Sequence, residues 1–342
     1  MRLHALQYLR AVAALAVVYS HTVIQVESYA PLLLEFGGFG VDIFFVISGF
    51  IMVFISKPTD TPRAFIINRV RRVVPLYWFF TLAMACILLF LPMLFKRSVF
   101  DWQAFALSLA FIPYESIAYP GQLWPIVAPG WSLNYEMYFY VLFALSLFFA
   151  PRLRVPIVIG LLIAIVVIAK ASASDSAVAL FYGHDVVFEF VFGMALAVAW
   201  RRGFRIPPGL AIALVVVGMA LLLVRLPTLR ALAFGLPALM VVTGALYIKL
   251  PENRLGVLLG DASYSLYLCH LFVLGALRVI LPPLLGEGPV AAWSFVATSL
   301  FFCVIASIVV HVIIDNWLLR TERLERFRRP EEDTLTARER RA

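Results

Sequence analysis

The chain has 342 residues, 63% of them hydrophobic and 14% charged, with a mean hydropathy of +0.95. A soluble domain of this length needs far more polar surface, so the composition excludes a water-soluble globular class and indicates an all-α, polytopic integral membrane protein. The net charge of +8 would suit nucleic acid, but the cations sit in short clusters between apolar runs and in the tail, a placement that fits anionic lipid and topology instead.

In chain order, runs long enough to span a bilayer fall near 5–24, 39–56, 74–95, 131–150, 155–170, 186–200, 208–225, 229–248, 262–281 and 291–314. The first is not read as a cleaved leader: no small-residue cleavage site follows it, and Arg10 interrupts its start. The apolar stretch 103–113 is too short to span and lies among Pro, Gly and aromatic residues. Leaving it outside the count gives ten spans, with both termini cytoplasmic. Lys57, Arg63, Arg69, Arg71 and Arg72, the pair Arg152 and Arg154, the trio Arg201, Arg202 and Arg205, and Lys249 with Arg254 then share one side, while Lys96, Arg97, Arg225 and Arg230 fall opposite. Counting 103–113 as a span would scatter the clusters over both sides, against the positive-inside bias. The stretch 96–130 thus reads as one long outer segment dipping partway into the membrane, and PGQLWPIVAPGW within it as a lid or acceptor platform rather than a passive connector. Residues 1–319 are expected to form the membrane domain and 320–342 a charged cytoplasmic tail.

Several polar residues lie inside these spans, where ionisable groups usually face a cavity or a partner. In the first span Arg10 and His21 are eleven residues apart. That is about three helical turns, placing both on one face about 16 Å apart along the axis. His21, Asp42 in the second span and Glu136 in the fourth are expected at similar depth toward the outside, where a carboxylate beside the histidine would fix its tautomer and strengthen it as a base. Each taken singly also fits a helix-end residue reaching the headgroups. Arg69 and Arg72, three apart before Pro75, can share a face and hold a polyanion, although positive-inside bias accounts for arginines there as well. Ser263, Tyr267 and His270 form a polar stripe on the ninth span, which interhelical hydrogen bonding would explain without chemistry. His311 and Asp315 are four apart and could pair.

Cys86, Cys269 and Cys303 lie in apolar runs without CxxC spacing and read as packing thiols, implying neither disulfides nor a zinc site. The sequence holds no HExxH, paired CxxC, glycine-rich phosphate loop or GxSxG, so zinc-hydrolase, NTPase and serine-hydrolase classes lack support.

LQYLRAVAALAVVYSH, GGFGVDIFFVISGFIM, RVRRVVPLYW, WSLNYEMYFY and SYSLYLCH, in that order across residues 6–270, resemble the membrane acyltransferase 3 family, most closely its ExoZ-like exopolysaccharide-production branch. The resemblance implies ten spans and transfer of an acyl group, acetyl above all, from cytoplasmic acyl-CoA (acetyl-CoA) to a hydroxyl of an extracytoplasmic or lipid-linked saccharide, with no metal. By position it casts His21 as the essential histidine, Arg10 as the arginine opening the same motif, Arg69 and Arg72 as the donor-side pair, and Glu136 as the acidic residue after WSL. Trp131, Ser132, Tyr264 and His270 are the candidate acceptor-contacting residues. Where family members often carry Glu-x-Pro, this chain has DNW from Asp315, so the role of Asp315 stays open. The expected setting is a bacterial inner membrane, with membrane lipids, a saccharide acceptor and polysaccharide assembly machinery as partners. Two other classes stay open on the sequence: a flippase for lipid-linked sugars, expected to show inverted repeats, and a non-catalytic scaffold.

Overall fold

In the computed structural model, residues 4–94, 99–224 and 228–315 are described, and no strand occurs among them. The tail 320–342, the side chain of Asp315, and Lys96, Arg97 and Arg225 lie outside the described residues. The helices are α1 (His4–Val23), α2 (Gly40–Ile55), α3 (Pro62–Phe90), α4 (Trp102–Leu109), α5 (Gly130–Ser146), α6 (Pro151–Ala171) and α7 (Ala177–Tyr182). They continue with α8 (Phe188–Arg201), α9 (Pro208–Leu222), α10 (Leu236–Tyr247), α11 (Arg254–Asp261), α12 (Ser263–Ile280), α13 (Pro282–Leu285) and α14 (Pro289–Val310).

Among the described residues, five helical stretches are long and apolar enough to cross a bilayer: Pro62–Phe90, Pro151–Ala171, Ala177–Arg201, Ser263–Ile280 and Pro289–Ile313. Gly40–Ile55, Pro208–Leu222 and Ala231–Tyr247 are apolar but shorter, and tilt or local thinning accommodates such lengths. The protein is therefore a multi-pass membrane protein. Of the stretch 103–113 only the part up to Leu109 is helical, within the eight-residue α4, about 12 Å long against a hydrocarbon core of about 30 Å, so it does not cross.

One boundary moves substantially. The sequence placed the start of the third span at residue 74, with Arg69, Arg71 and Arg72 just ahead of it. The helix instead begins at Pro62, whose missing N–H is harmless at a first-turn position. The Thr61 side chain accepts from the Ala64 N–H as its cap. It then runs through Pro75 to Phe90, so the arginines ride on a rigid helix.

Small residues set how closely the helices approach. Gly49 of α2 faces the Phe190 carbonyl and Gly193 of α8 faces the Val46 carbonyl, where an added Cβ would stand 2.1 and 2.0 Å from the oxygen. Interfaces between membrane helices gain mainly from such close packing, because lipid tails are as apolar as leucine. Gly37, at φ +104°, turns the chain into α2 with its α-carbon against the Ala16 carbonyl of α1. As a result α1 is central, packed against α2, α10, α11, α12 and α14, and its polar face is enclosed by protein.

Candidate active site

At one end of α1 an open cleft, about 790 Å³ with the solvent space at its mouth included, is bordered by Arg10, Arg69, Arg72, Ser48, Glu136 and Tyr140, with Tyr264 and Tyr267 among its other walls. The helical spacing of Arg69 and Arg72 puts both on this cleft, as the sequence indicated. The Arg69 guanidinium lies 5.5 Å from the Phe65 ring centre and 5.9 Å from that of Tyr140. Arg10 donates to Gln7 Oε1 at 3.2 Å, and Gln7 in turn donates to Asp261 Oδ1 at 2.9 Å. Glu136 accepts from Ser48 Oγ at 3.3 Å and from the Tyr140 hydroxyl. Tyr264 donates to the Val73 carbonyl at 2.6 Å, joining α12 to α3 beside the cleft. Three arginines and one carboxylate leave this space with a cationic excess suited to a polyanion.

Farther along the same face of α1 lies His21, half-buried, with its ring centre 4.9 Å from that of the fully buried His270 on α12. His21 Nδ1 is 2.9 Å from the Val17 carbonyl, four residues back on its own helix. A carbonyl only accepts, so that contact places the hydrogen on Nδ1 and leaves Nε2 with its lone pair. Tyr267 borders both regions. It walls the cleft, and its ring centre is 6.2 Å from that of His270 and 6.1 Å from that of Phe44. Its hydroxyl lies 2.7 Å from Ser132 Oγ and donates to the Pro129 carbonyl at 2.9 Å, so Ser132 braces this wall from the start of α5.

The expected cluster of His21, Asp42 and Glu136 does not form. Glu136 sits in the arginine-lined cleft. Asp42, on the first turn of α2, is fully buried and gripped bidentately by Arg230, Nε to Oδ1 and Nη2 to Oδ2 both at 3.0 Å. Among the described residues no carboxylate orients His21; the Val17 carbonyl does so instead. Depth fixes position along each helix but not rotation about its axis, and rotation turns the three groups apart.

Two members of the Asp42 site stand outside the motifs. Arg230 read as an outer-loop cation, yet it reaches in over the Trp131 ring, 5.5 Å from its centre. Glu189 of α8 is fully buried, and neither oxygen has a hydrogen-bond donor among the described residues. The close approach at Gly49 and Gly193 packs α2 on α8 and sets Glu189 beside Asp42. A carboxylate inside FEFVF was the available signal. Asp185 Oδ2 accepts from the Ala231 N–H at 2.9 Å, fixing the backbone next to Arg230. Of the four acceptor candidates, Trp131 and Ser132 therefore flank different features, Tyr264 faces the arginine cleft, and His270 stands with His21. No group of His, Cys, Asp or Glu able to hold a metal occurs among the described residues.

Residues 3–312 match the acyltransferase 3 family, described as "Acyltransferase domain". The chain belongs to that family. It is 39% identical over 305 residues to "Exopolysaccharide production protein ExoZ" of Rhizobium meliloti (strain 1021), covering 85% of this chain and 92% of that protein. It is 25% identical over 372 aligned positions to "Acyltransferase MdmB" of Streptomyces mycarofaciens, covering 94% and 92% respectively. No solved structure matches it. The resemblance read from the motifs is thus borne out at the level of the family, and the chain is an acyltransferase.

Proposed function

We propose that the chain is an integral-membrane O-acyltransferase that moves an acyl group, acetyl in the first instance, from acyl-CoA to a hydroxyl of an exopolysaccharide or other lipid-linked or extracytoplasmic saccharide. The observation that carries this reading is one face of α1. It joins an arginine-lined cleft at Arg10 to an imidazole at His21 whose free nitrogen is the basic one. The name of the 39% identical relative supports the exopolysaccharide acceptor, and the cationic cleft supports a phosphorylated donor.

Arg10, Arg69 and Arg72 hold the donor phosphates. The pantetheine arm extends along α1, where the rise between Arg10 and His21 is about 16 Å, and its thioester reaches His21 past the Phe44–Tyr267 contact. A sugar hydroxyl is a weak nucleophile at neutral pH, so a base must take its proton during attack. His21 Nε2 accepts that proton while the hydroxyl oxygen bonds to the thioester carbonyl carbon. The C–S bond then breaks, its electron pair leaves on sulfur, and the proton passes from His21 to the thiolate. The products are the ester and free CoA.

In the topology that goes with this mechanism the chain crosses a bacterial inner membrane ten times with both termini in the cytoplasm. The arginine end then meets cytoplasmic acyl-CoA, and the His21 end meets an acceptor delivered with polysaccharide assembly machinery. The test is mass spectrometry of surface polysaccharide from a deletion strain complemented with wild-type or His21→Ala protein, together with thiol release from acetyl-CoA by the purified proteins. Loss of acylation with His21→Ala at normal protein levels is expected. Full transfer by His21→Ala would refute the assignment of the base.

A further inference from the structure

The arrangement at His270 asks for more than packing. This imidazole is fully buried on α12, next to a cluster of buried Ala14, Val18, Leu266, Leu274 and Cys303, a setting that a phenylalanine ring would suit. Its Nδ1 is 3.2 Å from the Leu266 carbonyl, four residues back, which puts the hydrogen on Nδ1 as in His21. Its Nε2 lone pair is consequently buried, and it has no partner among the described residues. A buried acceptor without a donor is costly, and it persists where something in the working cycle fills it.

The neighbouring groups narrow what fills it. From α1 the facing titratable group is His21, with ring centres 4.9 Å apart. From α14 comes Cys303, whose Sγ is 3.9 Å from the His270 carbonyl oxygen. On α12 itself stand Cys269 and Tyr267, the latter already committed to Ser132 and Pro129. The carboxylates Asp42 and Glu136 are held by Arg230 and by Ser48 with Tyr140. The group left that both gains and loses a proton during the proposed transfer is His21.

We propose that His270 is a positioning residue for the acyl transfer, holding the His21 ring and offering its own Nε2 lone pair to stabilise the imidazolium that forms there. The Val17 carbonyl already holds His21 Nδ1–H, so His270 acts on the proton at His21 Nε2, sharing it after it leaves the hydroxyl and before sulfur takes it, without placing a fixed negative charge next to the incoming thioester. The proton balance is unchanged: one proton leaves the acceptor hydroxyl, rests on the histidine pair, and departs on the CoA sulfur. This inference rests on the reading of His21 as the base.

The test uses the full-length protein in detergent, with acetyl-CoA as donor and chemically de-O-acylated host exopolysaccharide as acceptor. His270→Phe keeps an aromatic ring against His21 and removes the lone pair. Its kcat should fall roughly 10- to 100-fold, a part of what general-base catalysis supplies, with donor KM unchanged. His270→Gln, which restores an acceptor oxygen, should recover part of that loss. Combined with His21→Ala, His270→Phe should cost nothing further, since residues that act as a unit are non-additive. Wild-type kcat in His270→Phe, or a multiplicative loss in the double variant, would overturn the inference. Should His270→Phe fail to fold, the same comparison is read on His270→Asn with and without His21→Ala, and independent effects there would overturn it equally. A fully active His21→Ala protein would overturn both readings. An inactive His21→Ala beside a normal His270→Phe would overturn this one alone.

Discussion

Removing Arg230 should cost the protein a large part of its stability, because it strands the buried Asp42 carboxylate. Arg230 meets Asp42 through two bonds of 3.0 Å, and the side chains are 31% and 0% exposed. Glu189, also 0% exposed, shares the site and lacks a donor of its own. Arg230→Ala therefore leaves the buried Asp42 carboxylate, with the Glu189 carboxyl group beside it, without a facing cation. Losing one partner of a buried pair costs about 3–5 kcal/mol, and the partly open guanidinium places this one near the lower end, about 3 kcal/mol. Asp42→Asn should cost less, about 1.5–2 kcal/mol, the lower end of what a hydrogen bond to a charged group contributes, because Glu189 remains to face Arg230. The double change Arg230→Met with Asp42→Leu should recover most of the loss, as apolar replacement of a whole buried pair often does. Equilibrium unfolding of the detergent-solubilised protein in SDS measures all three. A loss below about 1 kcal/mol for Arg230→Ala, the scale of an exposed pair, would refute the reasoning. So would a double variant as unstable as the sum of the singles.

Two further outcomes concern the arginine-lined cleft and the α2–α8 contact. Arg69→Ala with Arg72→Ala should weaken acetyl-CoA binding about 10- to 100-fold by calorimetry, the loss expected when charge-assisted phosphate contacts disappear. Unchanged affinity would remove the donor assignment. Gly193→Leu should abolish stable accumulation of the protein, because even a Cβ at that position would stand 2.0 Å from the Val46 carbonyl oxygen. The α2–α8 spacing that seats Asp42 beside Glu189 would then be lost. Normal yield and normal unfolding of Gly193→Leu would show that this spacing is not critical.

Sequence alone determined whatever depends on local geometry or on composition. Hydropathy identified a helical membrane protein, since a chain in lipid must satisfy its backbone internally. Helical periodicity aligned Arg10 with His21 and Arg69 with Arg72, because neighbours on one helix are related by a fixed rotation and rise. The length of 103–113 already argued against a span. The motifs in order were enough to indicate the family. Tertiary structure decided which polar groups meet between helices. His21 and His270 are far apart in the chain, as are Asp42 and Arg230, and such pairs depend on how each helix is rotated against its neighbours. That rotation follows from close packing at residues such as Gly49 and Gly193, whose role shows only once the facing carbonyls are in place. Depth along the axis suggested a carboxylate for His21; rotation about the axis gave Asp42 to Arg230, Glu136 to the arginine cleft, and a second imidazole to His21.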